Sequence, residues 1–432
     1  MHQLVTDEVF PGVKLTSILS QKFKTECLTI NLINRLSHET AALNALLPSV
    51  LNRGTVQYPD MQAITSALDE SYGARIEPMV RKKGELQCVG FYCDFPDARF
   101  IPNGKKVFEK TISLLAEMLL SPVLCDNLLL DEYVESEKKN LIDDIKIIVN
   151  DKRSYSIHRL IEEMCASEPY SIDKLGTESQ ARKITADSLT AHYKSFMENS
   201  VIEIIYCGAK PPEQVKEILS KSLINLPPRG KSEIPRTDIL LSPAHSSPKR
   251  VTESLNVTQG RLTIGYRVGD AMQTPDYPTL SVFNSIFGGG LMSKLFINIR
   301  EKLSLCYDIG SMLDKHKGIM LVSTGVEFKD FEAAEYEIEA QLQNIKNGDI
   351  SNEELHFAKE ALKTAIKSAL DRPSGLEGLY FDSSVAEYGC DPTLLCGRID
   401  SVRSEDIAQI ARGVKADTIH ILKRDRNNSE YN

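Results

Sequence analysis

Residues 287–307 read Phe-Gly-Gly-Gly-Leu-Met-Ser-Lys-Leu-Phe-Ile-Asn-Ile-Arg-Glu-Lys-Leu-Ser-Leu-Cys-Tyr, and this stretch decides most of the fold prediction. Its apolar residues predict a helix over 291–303, because they recur at helical spacing at Leu295, Phe296 and Ile299. The glycine run 288–290 favours the end of a preceding helix and the close approach of another backbone. A phosphate-binding loop is excluded, because no Gly-Lys-Ser/Thr follows these glycines.

A similar arrangement of residues occurs about 230 positions earlier in the chain. A strand-like run, 28–34, leads to an apolar helix that closes at Gly54, just as 261–268 leads to one that closes at Gly290. The residues after Gly54 then match the segment after Gly290 in the same order. Two helices with their flanking turns predict an internal duplication of a domain of about 200 residues.

A segment with five prolines, 226–250, lies between the two copies and predicts an extended connector. We therefore predict an N-terminal domain over 1–225 and a C-terminal domain over 251–432. Strand-like runs that are rich in β-branched residues alternate with long amphipathic helical patterns throughout the chain. This mixture predicts the α+β class.

Composition excludes several function classes. The chain has 432 residues, a formal net charge of −9 and short basic clusters only, so we expect no nucleic-acid partner. No apolar run approaches 18 residues, so we expect no membrane partner. Nine cysteines without a Cys-x-x-Cys pair, and no signal-peptide pattern at the N-terminus, predict reduced thiols and a cytoplasmic protein.

The sequence carries no local pattern for a metal or a catalytic nucleophile. Its eight histidines are at least 34 residues apart, so no helix face presents two of them. No Gly-x-Ser-x-Gly motif is present either. A zinc site could still be assembled from distant residues, but we expect no cofactor in this chain.

Residues 287–307 closely resemble a pattern in the second domain of the pitrilysin/insulinase family of zinc peptidases. The family pattern is F-G-G-G-x-x-S-[RK]-L-F-x-x-[IVL]-R-E-x-x-x-[LS]-x-Y. The resemblance implies two homologous α/β-roll domains, each a mostly antiparallel sheet covered by helices. It also implies that these domains form half of a clamshell, whose second half closes a peptide chamber.

The family's catalytic His-x-x-Glu-His motif falls on residues 45–49 of this chain. Ala45 and Ser49 stand at the two histidine positions, and Pro48 stands at the position of the general base, so the motif cannot hold zinc. Pro48 should also kink or break its helix. The resemblance places Glu137 on the family's supporting glutamate and Asp144 on its third ligand. A carboxylate pair on a charged helix is, however, more often ordinary surface.

Arg300 and Tyr307 match the two family residues that reach the bound peptide. A guanidinium can hold a peptide carbonyl, and a phenol can donate to a developing oxyanion. The structural alternative is a helix-surface arginine and a core tyrosine. Ser304 departs from the family, which often has glycine there.

A lost zinc motif beside a retained Arg/Tyr pair resembles the non-catalytic subunits of heterodimeric zinc metallopeptidases, including inactive homologues of Gram-positive bacteria. The resemblance implies a zinc-bearing homologous subunit as partner, zinc in that partner only, and a peptide substrate. It leaves open whether the chain forms a homodimer when it is alone. A purely structural protein, like the family's respiratory-complex core subunits, is the first alternative. A self-sufficient enzyme with an unrelated site is the second.

Overall fold

The computed structural model describes residues 2–102, 106–230, 233–268, 277–386 and 391–425, which form two compact units. Unit 1 comprises Met1–Lys146, Ile172–Arg236 and Ser368–Tyr388. Unit 2 comprises Ile147–Ser171, Thr237–Lys367 and Gly389–Asn432. Each unit thus includes one segment from the other half of the sequence, so the units differ from the contiguous domains predicted at 1–225 and 251–432. The predicted linker 226–250 is divided between them after Arg236.

The strands are listed in chain order. They are β1 (Gln3–Phe10), β2 (Val13–Leu19), β3 (Thr25–Arg35), β4 (Arg75–Lys83), β5 (Leu86–Pro96), β6 (Leu124–Cys125), β7 (Leu128–Leu129), β8 (Val201–Gly208), β9 (Lys249–Leu255), β10 (Gly260–Arg267), β11 (Cys306–Asp314), β12 (Ile319–Val326) and β13 (Lys415–Arg424).

The helices follow the same order. They are α1 (Ala41–Leu51), α2 (Met61–Glu70), α3 (Val107–Leu120), α4 (Asp131–Asn150), α5 (Lys152–Met164), α6 (Glu178–Arg182), α7 (Ala186–Asn199), α8 (Pro212–Ser222), α9 (Tyr277–Phe287), α10 (Phe331–Lys346), α11 (Asn352–Ala369), α12 (Pro373–Ala386), α13 (Pro392–Ser401) and α14 (Ser404–Arg412). A separate π-helix covers Phe296–Lys302.

Each unit is built on one mostly antiparallel sheet. In unit 1 the strand order is β1-β2-β8-β3-β5-β4, and β2 and β8 are the parallel neighbours. In unit 2 the order is β11-β12-β10-β13-β9, and β13 and β9 are the parallel neighbours. Apart from β1, the two sheets therefore share one order and one parallel pair. This topology agrees with the predicted duplication, and the predicted α+β class with antiparallel sheets is confirmed.

The central strands are buried on both faces, because helices cover the sheets. In unit 1, alternate residues of β3 and β5 pack under α1 and α3, among them Leu28, Ile30, Phe91 and Phe95. The opposite face of the same sheet packs against Leu376 and Phe381 of α12. No helix among the described residues is long and apolar enough to cross a membrane. Of the eight cysteines in the described ranges, six are buried.

Candidate functional site

Helix α1 carries residues 45–49, onto which the resemblance places the zinc motif. It runs from Ala41 to Leu51 with Pro48 inside, so the prediction that Pro48 breaks the helix is wrong. Ala45 and Pro48 are buried, and Ser49 is half-buried. Proline in a helix interior costs about 3 kcal/mol, because it removes one hydrogen bond and crowds the preceding turn. Leu46, Leu47, Val50 and Leu51 are also in the core, and their burial outweighs that cost.

A buried chain of polar side chains also holds α1 in place. The imidazole Nε2 of His192 donates to the Asn44 side-chain oxygen at 2.7 Å, and the Asn44 amide donates to the Gln87 side-chain oxygen at 2.8 Å. The Gln87 amide then donates to the backbone carbonyl of Ala41 at 2.9 Å. Burial lowers the pKa of His192, which favours the neutral imidazole. Sequence reasoning missed this network, because its three side chains lie on three separate elements.

Helix α4 does not bring its two candidate carboxylates into a metal site. Glu137 accepts a hydrogen bond from the Arg53 guanidinium at 3.2 Å and another from the Asn140 amide at 3.0 Å. The same guanidinium lies over the Tyr133 ring, 5.3 Å from its centre. Asp144 is exposed on the helix surface. Within the described ranges, no three His, Cys, Asp or Glu side chains are close enough to hold a metal ion.

In unit 2, the glycine run closes α9 and brings the chain against β11. The Gly288 carbonyl accepts from the backbone N–H of Ser311 at 2.9 Å. A Cβ at position 288 would lie only 2.8 Å from that nitrogen, so a side chain cannot be placed there. The close backbone approach that the sequence predicts is therefore confirmed.

Arg300 lies on the π-helix rather than on a regular α-helix. The backbone N–H of Leu303 bonds to the Asn298 carbonyl at 3.2 Å, five residues back. Leu295 and Ile299 are fully buried, as predicted, while Phe296 is only half-buried. The Arg300 side chain is 40% exposed, and its guanidinium lies over the Phe296 ring at 4.6 Å.

Tyr307 occupies a β-bulge at the start of β11, an edge strand. Cys306 pairs with Val326 and Asp308 with Gly325, so Tyr307 has no partner of its own in the ladder. The Tyr307 side chain is 67% exposed, and its hydroxyl donates to Glu327 at 3.3 Å. The alternative of a core tyrosine is therefore wrong.

The first copy of the repeat lacks both irregularities. The counterpart of the π-helix is α2, a regular α-helix whose first turn is capped by Asp60. The counterpart of β11 is β4, which pairs with β5 without a bulge. Both copies have a left-handed turn between these elements, with φ of +59° at Tyr72 and +72° at Gly73 in the first copy and +52° at Ser304 in the second. The two copies thus differ in backbone form at the turns that carry Arg300 and Tyr307.

Comparisons with known proteins agree with this description. Residues 183–362 match the family model described as the peptidase M16 inactive domain. The chain is 33% identical to the probable inactive metalloprotease YmfF of Bacillus subtilis (strain 168), over 95% of this chain and 96% of that protein. It is 22% identical to the uncharacterized zinc protease YmxG of the same organism, over 60% of this chain and 61% of YmxG. A conserved protein from Enterococcus faecalis V583 has a similar crystal structure, with a TM-score of 0.90 and 27% identity over 99% of this chain and 100% of that one.

A duplicated α+β fold, together with these similarities, defines a homologue of the M16 peptidases. The chain belongs to the peptidase M16 family, which is the pitrilysin/insulinase family. Within that family it is similar to YmfF, and it is an inactive M16-type protease homologue.

Proposed function

We propose that this chain is the non-catalytic subunit of a heterodimeric zinc metallopeptidase. In this proposal a homologous subunit supplies the zinc, this chain lines the peptide chamber, and the complex is cytoplasmic. Bacillus subtilis has both an inactive relative of this chain and a relative named as a zinc protease, so both kinds of subunit can occur in one organism. The buried cysteines suit a reducing compartment.

The observation that carries the proposal is the backbone at Arg300 and Tyr307. Short π-helical segments and β-bulges are frequent at functional sites, where a bulge can redirect a side chain. Both occur in unit 2 within about a dozen residues. The regular counterparts in unit 1 show that the fold does not need them. A selective advantage for two exposed polar groups explains why both irregularities are present.

The two side chains have suitable chemistry for contacting a peptide. The Arg300 guanidinium keeps free N–H donors beyond its contact with the Phe296 ring, and these donors can hold a peptide carbonyl. The Tyr307 hydroxyl can donate to an oxyanion once it leaves Glu327. In the proposed complex, this donor acts on a carbonyl that the partner's zinc polarises.

A purely structural homologue, as a homodimer or a core subunit of a larger complex, is the second candidate. Two observations favour it. First, Ala45 and Pro48, at the positions of the zinc motif on α1, are buried in the core. Second, each candidate side chain has an acidic neighbour: Glu301 lies beside Arg300, and Glu327 accepts from Tyr307. A scaffold needs neither side chain for peptide binding.

Reconstitution with the zinc-bearing homologue of the same genome tests the proposal. The two chains are mixed, complex formation is followed by size-exclusion chromatography, and cleavage of a fluorogenic peptide is measured. Arg300→Ala and Tyr307→Phe should leave pairing intact. Each should lower kcat/KM of the complex, by about 10²–10³-fold for Tyr307→Phe if the phenol stabilises the oxyanion.

Two matched variants serve as controls. Lys302→Ala removes a neighbouring charge on the same π-helix, and Tyr336→Phe removes the hydroxyl of a tyrosine that is 75% exposed elsewhere in unit 2. Both should retain full activity. A loss confined to KM would indicate uniform substrate binding, whereas full activity of the Arg300 and Tyr307 variants would support the scaffold.

A further inference from the structure

Unit 2 contains a cavity of about 590 Å³ that has no role in the proposed function. It lies between the sheet, helix α10, the end of α14 and the proline-rich segment 242–248. Residues of β10 and β13 form its floor. Its polar wall is made by Ser242, His245, Tyr266, Glu335, Glu339, Lys346, Arg412 and Lys415.

Tyr266 is the buried polar group of this wall. The residue is 1% exposed, and its ring packs edge-on against Phe287 with ring centres 6.4 Å apart. Among the described residues, none forms a hydrogen bond with its hydroxyl. The residue lines the cavity, so its hydroxyl is open to whatever fills that space. Water or a polar ligand in the cavity can therefore satisfy it.

Two carboxylates lie near this hydroxyl. Burial, reinforced by the charges of Glu339 and Glu335, raises the pKa of Tyr266. Glu335 is held by the Arg250 guanidinium through two contacts of 2.7 Å. Glu339 makes no hydrogen bond or ion pair with any residue of the described ranges, and burial raises the pKa of its carboxyl. This end of the cavity therefore offers two acceptors, Glu339 and the Tyr266 oxygen, to a cation.

The opposite end of the cavity carries three cations. Lys346 is the last residue of α10 and Arg412 the last of α14, and neither forms a salt bridge within the part of the chain that the structure describes. The Arg412 Nε donates to the Lys346 carbonyl at 3.3 Å, which leaves its terminal N–H groups available. Lys415 donates to Ser242 at 2.9 Å. This end suits a carboxylate.

The distance between the two ends sets the length of a ligand. Glu339 and Lys346 are seven residues apart on one helix, which corresponds to about 10 Å along its axis. An extended peptide spans about 3.3–3.6 Å per residue, so about three residues bridge this distance. The cavity volume is within the usual range of about 300–1,000 Å³ for small-ligand sites.

We propose that this cavity binds a short peptide of about three residues. Its ammonium lies beside Glu339 and the Tyr266 hydroxyl, and its carboxylate lies among Lys346, Arg412 and Lys415. The inference is independent of the proposed function, because binding needs neither zinc nor a second subunit.

Isothermal titration of the full chain with trialanine tests the inference. We expect a dissociation constant of about 0.1–1 mM, as for a ligand of this size with ordinary efficiency. Tyr266→Phe keeps the ring and should weaken binding about two- to tenfold by removing one hydrogen bond. Lys346→Met should weaken it about three- to tenfold. Lys329→Met, an exposed lysine of the same unit outside the cavity, should bind like the parent.

N-acetyl-trialanine amide, which lacks both terminal charges, should not bind measurably. Equal affinity for the blocked peptide, or unchanged affinity in both cavity variants, would overturn the inference. No heat with trialanine at 10-fold above the expected range, about 10 mM, would show that only water fills the cavity. Circular dichroism of each variant establishes that it is folded before it is titrated.

Discussion

Ser304 has a left-handed backbone conformation that favours glycine. Its φ is +52°, and the equivalent turn of the first copy has Gly73 at +72°. A non-glycine residue in this region costs about 1–2 kcal/mol, part of which glycine loses again through the entropy of the unfolded chain. We therefore predict that Ser304→Gly raises the free energy of unfolding by about 0.5–1 kcal/mol, as measured by urea denaturation.

The reciprocal substitution in the first copy is the matched control. A Cβ at Gly73 would meet no atom within 4 Å, so Gly73→Ser changes only the backbone preference. It should lower the free energy of unfolding by a similar amount. If Ser304→Gly is neutral while Gly73→Ser lowers the free energy of unfolding, the prediction that the backbone of Ser304 is strained would be contradicted.

At the scale of elements, the sequence predicts buried elements well and exposed ones poorly. Strand-like runs predict β3, β5, β8, β10, β12 and β13, because these strands have buried residues on both faces. The runs are 28–34, 86–95, 201–208, 261–268, 319–328 and 418–423. Edge strands β1, β4 and β9 are not predicted, because solvent on one side removes the apolar pattern. The edge strand β11 is predicted only from its start at Tyr307, and the buried strand β2 is not predicted at all. The short basic cluster Arg81–Lys83 on β4 is typical of a solvated surface. In the structure, however, Arg81 pairs with the buried Glu377 of α12 at 2.8 Å. Helix α12 is not predicted, because its apolar stripe is weak. Helix α5 is not predicted either, although its residues are clearly amphipathic.

The candidate site divides in the same way. The motif itself identified Arg300 and Tyr307, and the substitution of Gly by Ser at 304 indicated an unusual turn. The π-helix and the bulge could not be predicted, because a hydrogen bond that shifts by one residue leaves no mark on residue periodicity. Periodicity predicted a regular helix over 291–303, whereas the π-helix covers Phe296–Lys302.

Pro48 lies inside helix α1, and its substitution tests how much this proline destabilises the helix. Replacing it by alanine restores a helix hydrogen bond and relieves the clash with the preceding turn, which together stabilise the helix by about 3 kcal/mol. The substitution also removes two buried methylenes, which costs about 0.8 kcal/mol each. Loss of the proline also increases the conformational entropy of the unfolded chain, which lowers the free energy of unfolding. We predict that Pro48→Ala raises the free energy of unfolding by about 0.5–1 kcal/mol.

Pro212 is the matched control, because it is the first residue of α8, where proline lacks no helix bond. Pro212→Ala should lower stability by a few tenths to about 1 kcal/mol through the unfolded state alone. Equal effects of the two substitutions in urea denaturation would show that packing has fully removed the helix penalty at Pro48.

Helix α5 is tied to the unit 2 sheet through a buried histidine. Ser156 of α5 lies 3.0 Å from the Nδ1 atom of His420, which is fully buried on β13. Burial lowers the pKa of His420, and the nearby Glu253 carboxylate offsets this only in part. The unfolded histidine therefore takes up a proton at higher pH than the folded one. The contribution of His420 to the free energy of unfolding is therefore fully present above about pH 6.5. It decreases as the pH drops, by at most about 1.4 kcal/mol per pH unit.

Urea denaturation between pH 7.5 and 5 measures this dependence. His420→Asn should be less stable at pH 7.5 but should show a shallower decline toward pH 5 than the parent. The exposed His245 is the control, and His245→Asn should keep the parent's slope. A parental slope in the His420 variant would assign the pH dependence to other groups.

For the whole molecule, the prediction that this chain binds no zinc rests on two elements, α1 and α4. Helix α1 has Ala45, Pro48 and Ser49 in the core or at its edge, and α4 has Glu137 engaged by Arg53 and Asp144 turned to solvent. Zinc in catalytic sites needs three protein ligands, usually histidine or carboxylate. We predict that the purified chain holds less than about 0.1 zinc per molecule and hydrolyses no peptide, by metal analysis after gel filtration. The zinc-bearing homologue, purified in parallel, should hold about one zinc. About one chelator-sensitive zinc in this chain would mean that distant residues build a site, and the assignment of zinc to the partner alone would be wrong.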